Sequence, residues 1–386
     1  MTKTAMKSSL ALGLTGFSLI AITYGMARFS WGLMMPAVME DIPFSLRASG
    51  LITACSYLSY CFATLAAAGL VARYGPGLTA VAAALCAAMG LLILACSTSA
   101  LMLGTGLFIA GLSAGFASPA LAGAVRYGIT EQKQEFANTA INAGTSAGII
   151  FSVPVLLLMP GGWRASCLMF AGLALICLLP ALRYLPACRA AISRGSGSWR
   201  GILLRRGMPR LMIVAFISGS ASAAWWGFGQ DILRNGLHIN PQTSGLLWLV
   251  SGAAGIAGAL TGPLSRYLSM RQIYRLSQLS MALPLILLAC AHGYAWWLYL
   301  AVAMIGAGYV TLSGIVLVYG AALAGNSPAA GVSVAFFMLA AGQVAGSAVF
   351  GLLYAGAGAA VVLTIFAALS VAMLLLPPEV RKECQT

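Results

Sequence analysis

No charged side chain and no histidine interrupts the chain from Gly293 to Pro378, a run of 86 residues. A soluble domain carries a charge at about one position in four, so water cannot be the main solvent for this run. A helix needs about 20 apolar residues to cross some 30 Å of hydrocarbon. The run therefore holds three crossings, with breaks expected near "AGNSP" (324–328) and "AGAGA" (355–359). A second uncharged run, 74–125, must hold two, broken near "CSTSA" (96–100).

Cutting the rest of the chain at its charges gives 8–37, 48–72, 136–163 and 165–182 in the first half. The second half adds 211–230, 239–265 and a segment from about Met270 to Ala291. The expected fold class is an all-α membrane protein of twelve transmembrane helices in two six-helix bundles. The N-terminal bundle spans 1–186, a basic cytoplasmic linker 187–208, and the C-terminal bundle with a short tail 209–386. Lys3 and Lys7 before an apolar stretch resemble a secretory leader. Removing it would leave an odd number of crossings, so the stretch is read as the first helix.

Only 7% of the residues are charged, yet the net charge is +14. With the N-terminus placed in the cytoplasm, 17 of the 21 basic residues fall on that side, and Arg47, Arg164 and Arg234 fall outside. This asymmetry is the positive-inside signature. It accounts for the charge without nucleic acid and puts both termini in the cytoplasm. The expected location is a bacterial inner membrane.

The halves echo one another. "GLVARY" (69–74) returns as "GPLSRY" (262–267), "SGLI" (49–52) as "SGLL" (244–247), "WGL" (31–33) as "WGF" (226–228), and "GTSAG" (144–148) as "GQVAG" (342–346). The matches keep their order. Parallel six-helix repeats joined by a basic linker are a known transporter plan. Over essentially its whole length the chain resembles the major facilitator superfamily. The loop "AGLVARYGPG" (68–77) is similar to that family's signature Gly-x-Leu-Ala-Asp-Arg-x-Gly-Arg at Arg73, Tyr74 and Gly75. It departs at Ala72, where the signature is acidic. "LFIAGLSAG" (107–115) lacks the fourth-helix arginine of proton-driven drug exporters. The pattern "ARFSWGLMMPAVMEDI…ASGLI" looks most like poorly characterised bacterial members near the sugar- and drug-efflux permeases. The resemblance implies alternating access around a central site, with Arg73, Tyr74, Gly75 and Arg266 in gating loops. The departures weaken the case for proton antiport.

Arg28 is the one cation inside a span; twenty uncharged residues precede it and the next charge is Glu40. A charge at mid-bilayer costs about 2.5–3.5 kcal/mol on insertion scales. A guanidinium facing a watered cavity avoids most of that and can grip a carboxylate or phosphate with two hydrogen bonds. The competing reading is a structural arginine tied to carbonyls or to Asp231. Tyr24, Arg28, Trp31 and Met35 fall at i, i+4, i+7 and i+11, one stripe of an α-helix. At the repeat-related depth, Ser222, Trp225 or Trp226, and Gln230 are candidates to face Arg28. An interfacial aromatic belt would explain those tryptophans equally well. Tyr57, Tyr60, Asn142, Tyr309 and Gln343 complete the predicted solute site.

A proton-coupled carrier needs a titrating group in its pathway. Of the seven acidic residues only Asp231 approaches the membrane, so Asp231 and Arg28 are the coupling candidates. A protonatable solute or anion exchange would serve instead. Asn142 and Gln343 border the small-residue patches Gly144/Gly148 and Gly342/Gly346. These are expected to pack helices closely and to let helices 5 and 11 slide past 8 and 2. Pro119 and Pro154 are expected bends. In the linker, Trp199, Ile202 and Leu203 share a face beyond which lie Arg205 and Arg206, as in a short amphipathic helix or a solvated connector.

Nine scattered cysteines show no metal spacing, and no nucleophile–base pair or phosphate loop is present. No enzyme activity, cofactor or metal is expected. The reading is a monomeric secondary transporter in the lipid bilayer, exporting an amphipathic, anionic or zwitterionic small molecule, with protons as candidate coupling ion. The alternatives are organic-acid uptake by proton symport or anion exchange, and a ligand sensor that does not transport.

Overall fold

A computed structural model describes residues 3–186, 199–256, 267–325 and 328–378; the described part is helical throughout, with no strand. The first rod is α1 (Lys3–Ile20), a π-helical segment (Ala21–Phe29) and α2 (Ser30–Asp41). Next come α3 (Leu46–Ala95), α4 (Ala100–Gly128), α5 (Glu131–Asn142), α6 (Gly144–Leu158), α7 (Gly162–Ile176) and α8 (Leu178–Tyr184). After the short α9 (Trp199–Leu203) follow α10 (Met208–Asp231) with a second π-helical segment (Ile232–Gly236), and α11 (Pro241–Ala254). Last are α12 (Met270–Ala289), α13 (Leu298–Leu323) and α14 (Pro328–Leu374).

Eight helices among the described residues are long and apolar enough to cross a membrane; the chain is a multi-pass membrane protein. Two of them, α3 and α14, contain a non-helical residue. Gly75 (φ 85°, ψ 165°) and Gly358 (φ 79°, ψ 166°) adopt nearly the same backbone angles, in the left-handed half of the map that glycine alone visits cheaply. The helix is interrupted by a kink at each. Chain breaks fall where glycine, serine and small residues were expected to place them: at Cys96–Ser99, at Ala324–Gly325 and at Gly358. The starts are fixed by polar caps. Ser45, Ser99 and Asn240 accept from the backbone N–H three residues on, and Ser269 forms a full capping box with Gln272.

The glycines expected to lubricate a sliding interface do something else. A methyl group on Gly144 or Gly148 would run into the carbonyl oxygens of Phe17 and Ala21. One on Gly342 or Gly346 would meet those of Phe216 and Ser220. These patches therefore lock α6 to the first rod and α14 to α10, each within its own half, at repeat-related places. Close approach needs a residue without Cβ. Contacts between the halves use other glycines: Gly245 and Gly252 of α11 against Leu157 and Ile149 of α6, and Gly50 of α3 against Ser347 and Gly351 of α14.

In the loop at Gly75, the exposed Arg73 lays its guanidinium 5.3 Å from the ring centre of Tyr74. Gly77 donates its N–H to the carbonyl of Pro186, 3.0 Å away, tying this loop to the end of α8. Arg266, its counterpart in the repeat, lies outside the described residues, as do linker residues 187–198. In α9 Ile202 is buried and Leu203 half-buried, while Arg205 and Arg206 beyond it are exposed.

Candidate functional site

The π-helical segment sets the geometry. Its hydrogen bonds run i→i+5 in place of i→i+4, so each turn takes in more chain and the α-helical count of side-chain positions fails across it. Tyr24 and Arg28 stay on the face that lines a cavity, and Phe29 joins them. Trp31 and Met35 do not. Trp31 is 2% exposed and donates its indole N–H to Thr53 Oγ1 at 2.8 Å, and Met35 is fully buried. The stripe Tyr24–Arg28–Trp31–Met35 is thus broken after its second member.

Arg28 is buried, and Nη2 donates to Gln343 Oε1 at 2.9 Å. Gln343 belongs to α14, so the bond joins the two halves of the chain. The same amide donates through Nε2 to Tyr309 OH at 3.1 Å and Ser222 Oγ at 3.2 Å. Four rings surround the guanidinium carbon: Tyr60 at 4.3 Å, Tyr57 at 4.9 Å, Phe29 at 5.4 Å and Tyr24 at 5.7 Å from their centres. Each such contact is worth about 0.5–2 kcal/mol, the upper end when desolvated. The rings replace water around the cation. Arg28 Nε is buried with no hydrogen-bond partner. Tyr24 OH pairs with Ser118 Oγ at 2.8 Å and also lies 3.4 Å from Tyr60 OH.

These groups sit at the deep end of a cavity of about 610 Å³. Its mouth lies at α5, where Gln132, Phe136 and Asn142 line it and are exposed. That mouth is at the N-terminal end of the first rod, since Gly128, just before α5, abuts Leu12. The other end is closed. Trp226 packs 4.8 Å from Phe29 and 5.7 Å from Tyr309, centre to centre, and Gly32 abuts the Trp226 carbonyl. Trp225 stacks on Trp248 at 5.4 Å and donates to Ser251 Oγ. Beyond them Arg234 Nη2 meets Glu40 Oε1 at 2.9 Å, again across the halves. Asp41 accepts from the indole N–H of Trp163 at 2.8 Å.

Of the residues singled out in the sequence, Tyr24, Arg28, Tyr60, Asn142, Tyr309 and Gln343 line the cavity. Tyr57 stands behind the guanidinium. Trp225 and Trp226 build the plug, and Gln230 donates to the Ser244 carbonyl at 2.7 Å. Asp231 is buried at the closed end, accepting from Asn235 Nδ2 at 2.7 Å and bonded to Tyr354. It is not the partner of Arg28. Phe29, Ser118, Thr145 and Phe336 also line the cavity and were not foreseen. Small polar residues are common wherever helices pack, so nothing in the sequence marks these.

Residues 17–346 match the sequence model of the Major Facilitator Superfamily. The chain belongs to this superfamily. It is a transporter of a small solute across a membrane and not an enzyme. No curated protein matches the sequence. Among solved structures, a point mutant of the nucleoside transporter NupG superimposes with a TM-score of 0.75 at 16% identity, covering 94% of this chain and 98% of its own. The NupG structure without that mutation gives 0.72 at 18% identity, covering 95% and 97%. At such identities the likeness shows the superfamily fold alone.

Proposed function

We propose that this member is an exporter of small organic anions that binds its solute at Arg28 and works by alternating access. The reading takes α3 and α14 as two crossings each, hinged at Gly75 and Gly358, and adds α11 and α12. That gives twelve crossings, arranged as the bundles 1–186 and 209–386 around the linker. The basic residues assign the cavity mouth to the cytoplasm, so this is the state that loads from inside. The observation that carries the proposal is the cross-half bond from Arg28 to Gln343 at the floor of an open cavity. A solute anion on the guanidinium changes the charge at the contact between the halves, which is how binding can bias a rocking equilibrium.

Proton coupling through a carboxylate finds little support. Among the described residues no acidic side chain and no histidine lines the cavity, and Asp231 is engaged at the closed end. The test is efflux of a collection of labelled organic acids from loaded proteoliposomes, wild type against Arg28→Ala. The proposal requires at least one acid to leave through the wild type and not through the variant. Undiminished efflux of every transported acid by Arg28→Ala would refute it.

A further inference from the structure

We infer that the solute is a monocarboxylate with a ring-bearing apolar body, as opposed to a phosphate ester or an amino-acid-like zwitterion; this rests on the solute site proposed at Arg28. The first argument is charge balance. Arg28 is the one cationic side chain among the described residues that line the cavity, and no carboxylate lines it. One negative charge is therefore matched. A phosphate monoester carries between one and two at neutral pH, leaving a surplus that no described lining side chain matches. A zwitterion brings an ammonium group, for which the described lining offers no anion, and a buried unpaired charge is strongly disfavoured.

The second argument is shape. Four rings pack around the guanidinium carbon, and Gln343 holds Nη2. What is left for a ligand is the edge of the fork, where buried Nε has no partner. A planar carboxylate matches two N–H groups in one plane; a phosphate can pair there too, and is set apart by its surplus charge. The third is the wall beyond. Phe29, Phe336, Leu339 and Leu317 also line the cavity, with the exposed Phe136 at its mouth, and aromatic walls favour offset or edge-on contact with a ring. The hydroxyls of Tyr24 and Ser118 already satisfy one another, so the body needs few polar groups of its own.

The test is binding to the purified full chain in nanodiscs. The probes are phenylacetate, phenylacetamide, phenylalanine, phenyl phosphate and acetate, followed by calorimetry and thermal shift. Phenylacetate is expected to bind at least tenfold more tightly than each of the other four. Amide, zwitterion or phosphate binding within threefold of phenylacetate overturns the inference, as does a panel in which no carboxylate binds. Arg28→Gln separates this from the reading beneath it. If a non-carboxylate binds and Arg28→Gln abolishes that binding, the site stands and the solute class is wrong. If binding of the best probe survives Arg28→Gln, the site itself is wrong. Arg28→Lys keeps the charge and loses the planar fork. It should weaken phenylacetate about tenfold without changing the elution profile, and unchanged affinity would count against the fork argument.

Discussion

Arg28 and Gln343 stand 315 positions apart in the chain and 2.9 Å apart in the molecule. The amide presents its oxygen to the cation and its nitrogen to Tyr309 and Ser222, so one side chain ties groups from three helical segments to a fourth, its own. A hydrogen bond to a charged group contributes about 1.5–3 kcal/mol. Replacing the amide by a carboxylate, Gln343→Glu, would neutralise Arg28 from within the protein. The variant should melt no lower than the wild type but bind organic anions at least tenfold more weakly, as read by calorimetry. Tight anion binding by Gln343→Glu would show that Arg28 does not serve as the anion's partner.

The closed end rests partly on Glu40 and Arg234, whose side chains are 65% and 20% exposed. A pair this wet contributes about 0.2–1 kcal/mol. Glu40→Gln should leave the fold intact and raise the share of molecules open at that end by up to about fivefold, the Boltzmann equivalent of 1 kcal/mol. Distances between spin labels placed on either side of that end would register the shift. An unchanged distance distribution would assign the closure to the tryptophan plug alone.

Trp31 and Tyr24 offer a paired comparison, since both were read onto one stripe. Trp31→Phe removes the bond to Thr53 behind the site and should cost about 1 kcal/mol of stability with solute affinity preserved. Tyr24→Phe frees Ser118 inside the cavity and should change affinity at nearly constant melting temperature. Thermal melts and binding on the two purified variants suffice, and the reverse pattern would mean that the π-helical segment relaxes in the bilayer.

Gly148→Val should prevent folding, because the new side chain meets the backbone of the first rod, which has nowhere to go. Overpacking of this kind costs about 1–3 kcal/mol even where side chains can yield. Gly172→Ala, with open space around the new methyl, should express like the wild type. Expression and monodispersity by fluorescence-detected chromatography would compare them.

Net charge movement gives another check. If the bound solute crosses as a monoanion with no proton on the protein, each cycle is electrogenic, and a 100 mV potential, negative inside, is worth about 2.3 kcal/mol towards export. Efflux from vesicles should follow an imposed potassium diffusion potential, and Asp231→Asn should leave it unaltered. Insensitivity to the potential would point to exchange against a second anion.

Much of this architecture follows from where the charges are missing. The ends of α3, α4 and α13 lie within a few residues of the breaks marked by glycine and serine, because a bilayer fixes how long a crossing must be. Arg28 stood out for a similar reason: one cation in so apolar a stretch has to be accounted for. The fate of Trp31 could not be read the same way. Its position depends on a change of helical period within Ala21–Phe29 that no residue there announces. Gly144 and Gly148 pack helices closely as expected, but against the first rod and not against α11, since a glycine reports that something comes close but not which helix it is. Gln343 could be proposed from its rarity as a polar group in an apolar helix; Ser118 could not.

The π-helical segment makes the site depend on chain length as well as on residue type. A residue added to or removed from an α-helix turns everything beyond it by about 100°. A chain one residue shorter between Ala21 and Phe29 would keep its apolar character, still cross the bilayer and still carry an arginine. Settled back into plain α-helix, it would take up the loss in the π turns and keep the segments on either side nearly in register. A deletion within Ala21–Phe29 would thus be better tolerated than one in the plain helix before or after it, which turns everything beyond by about 100°.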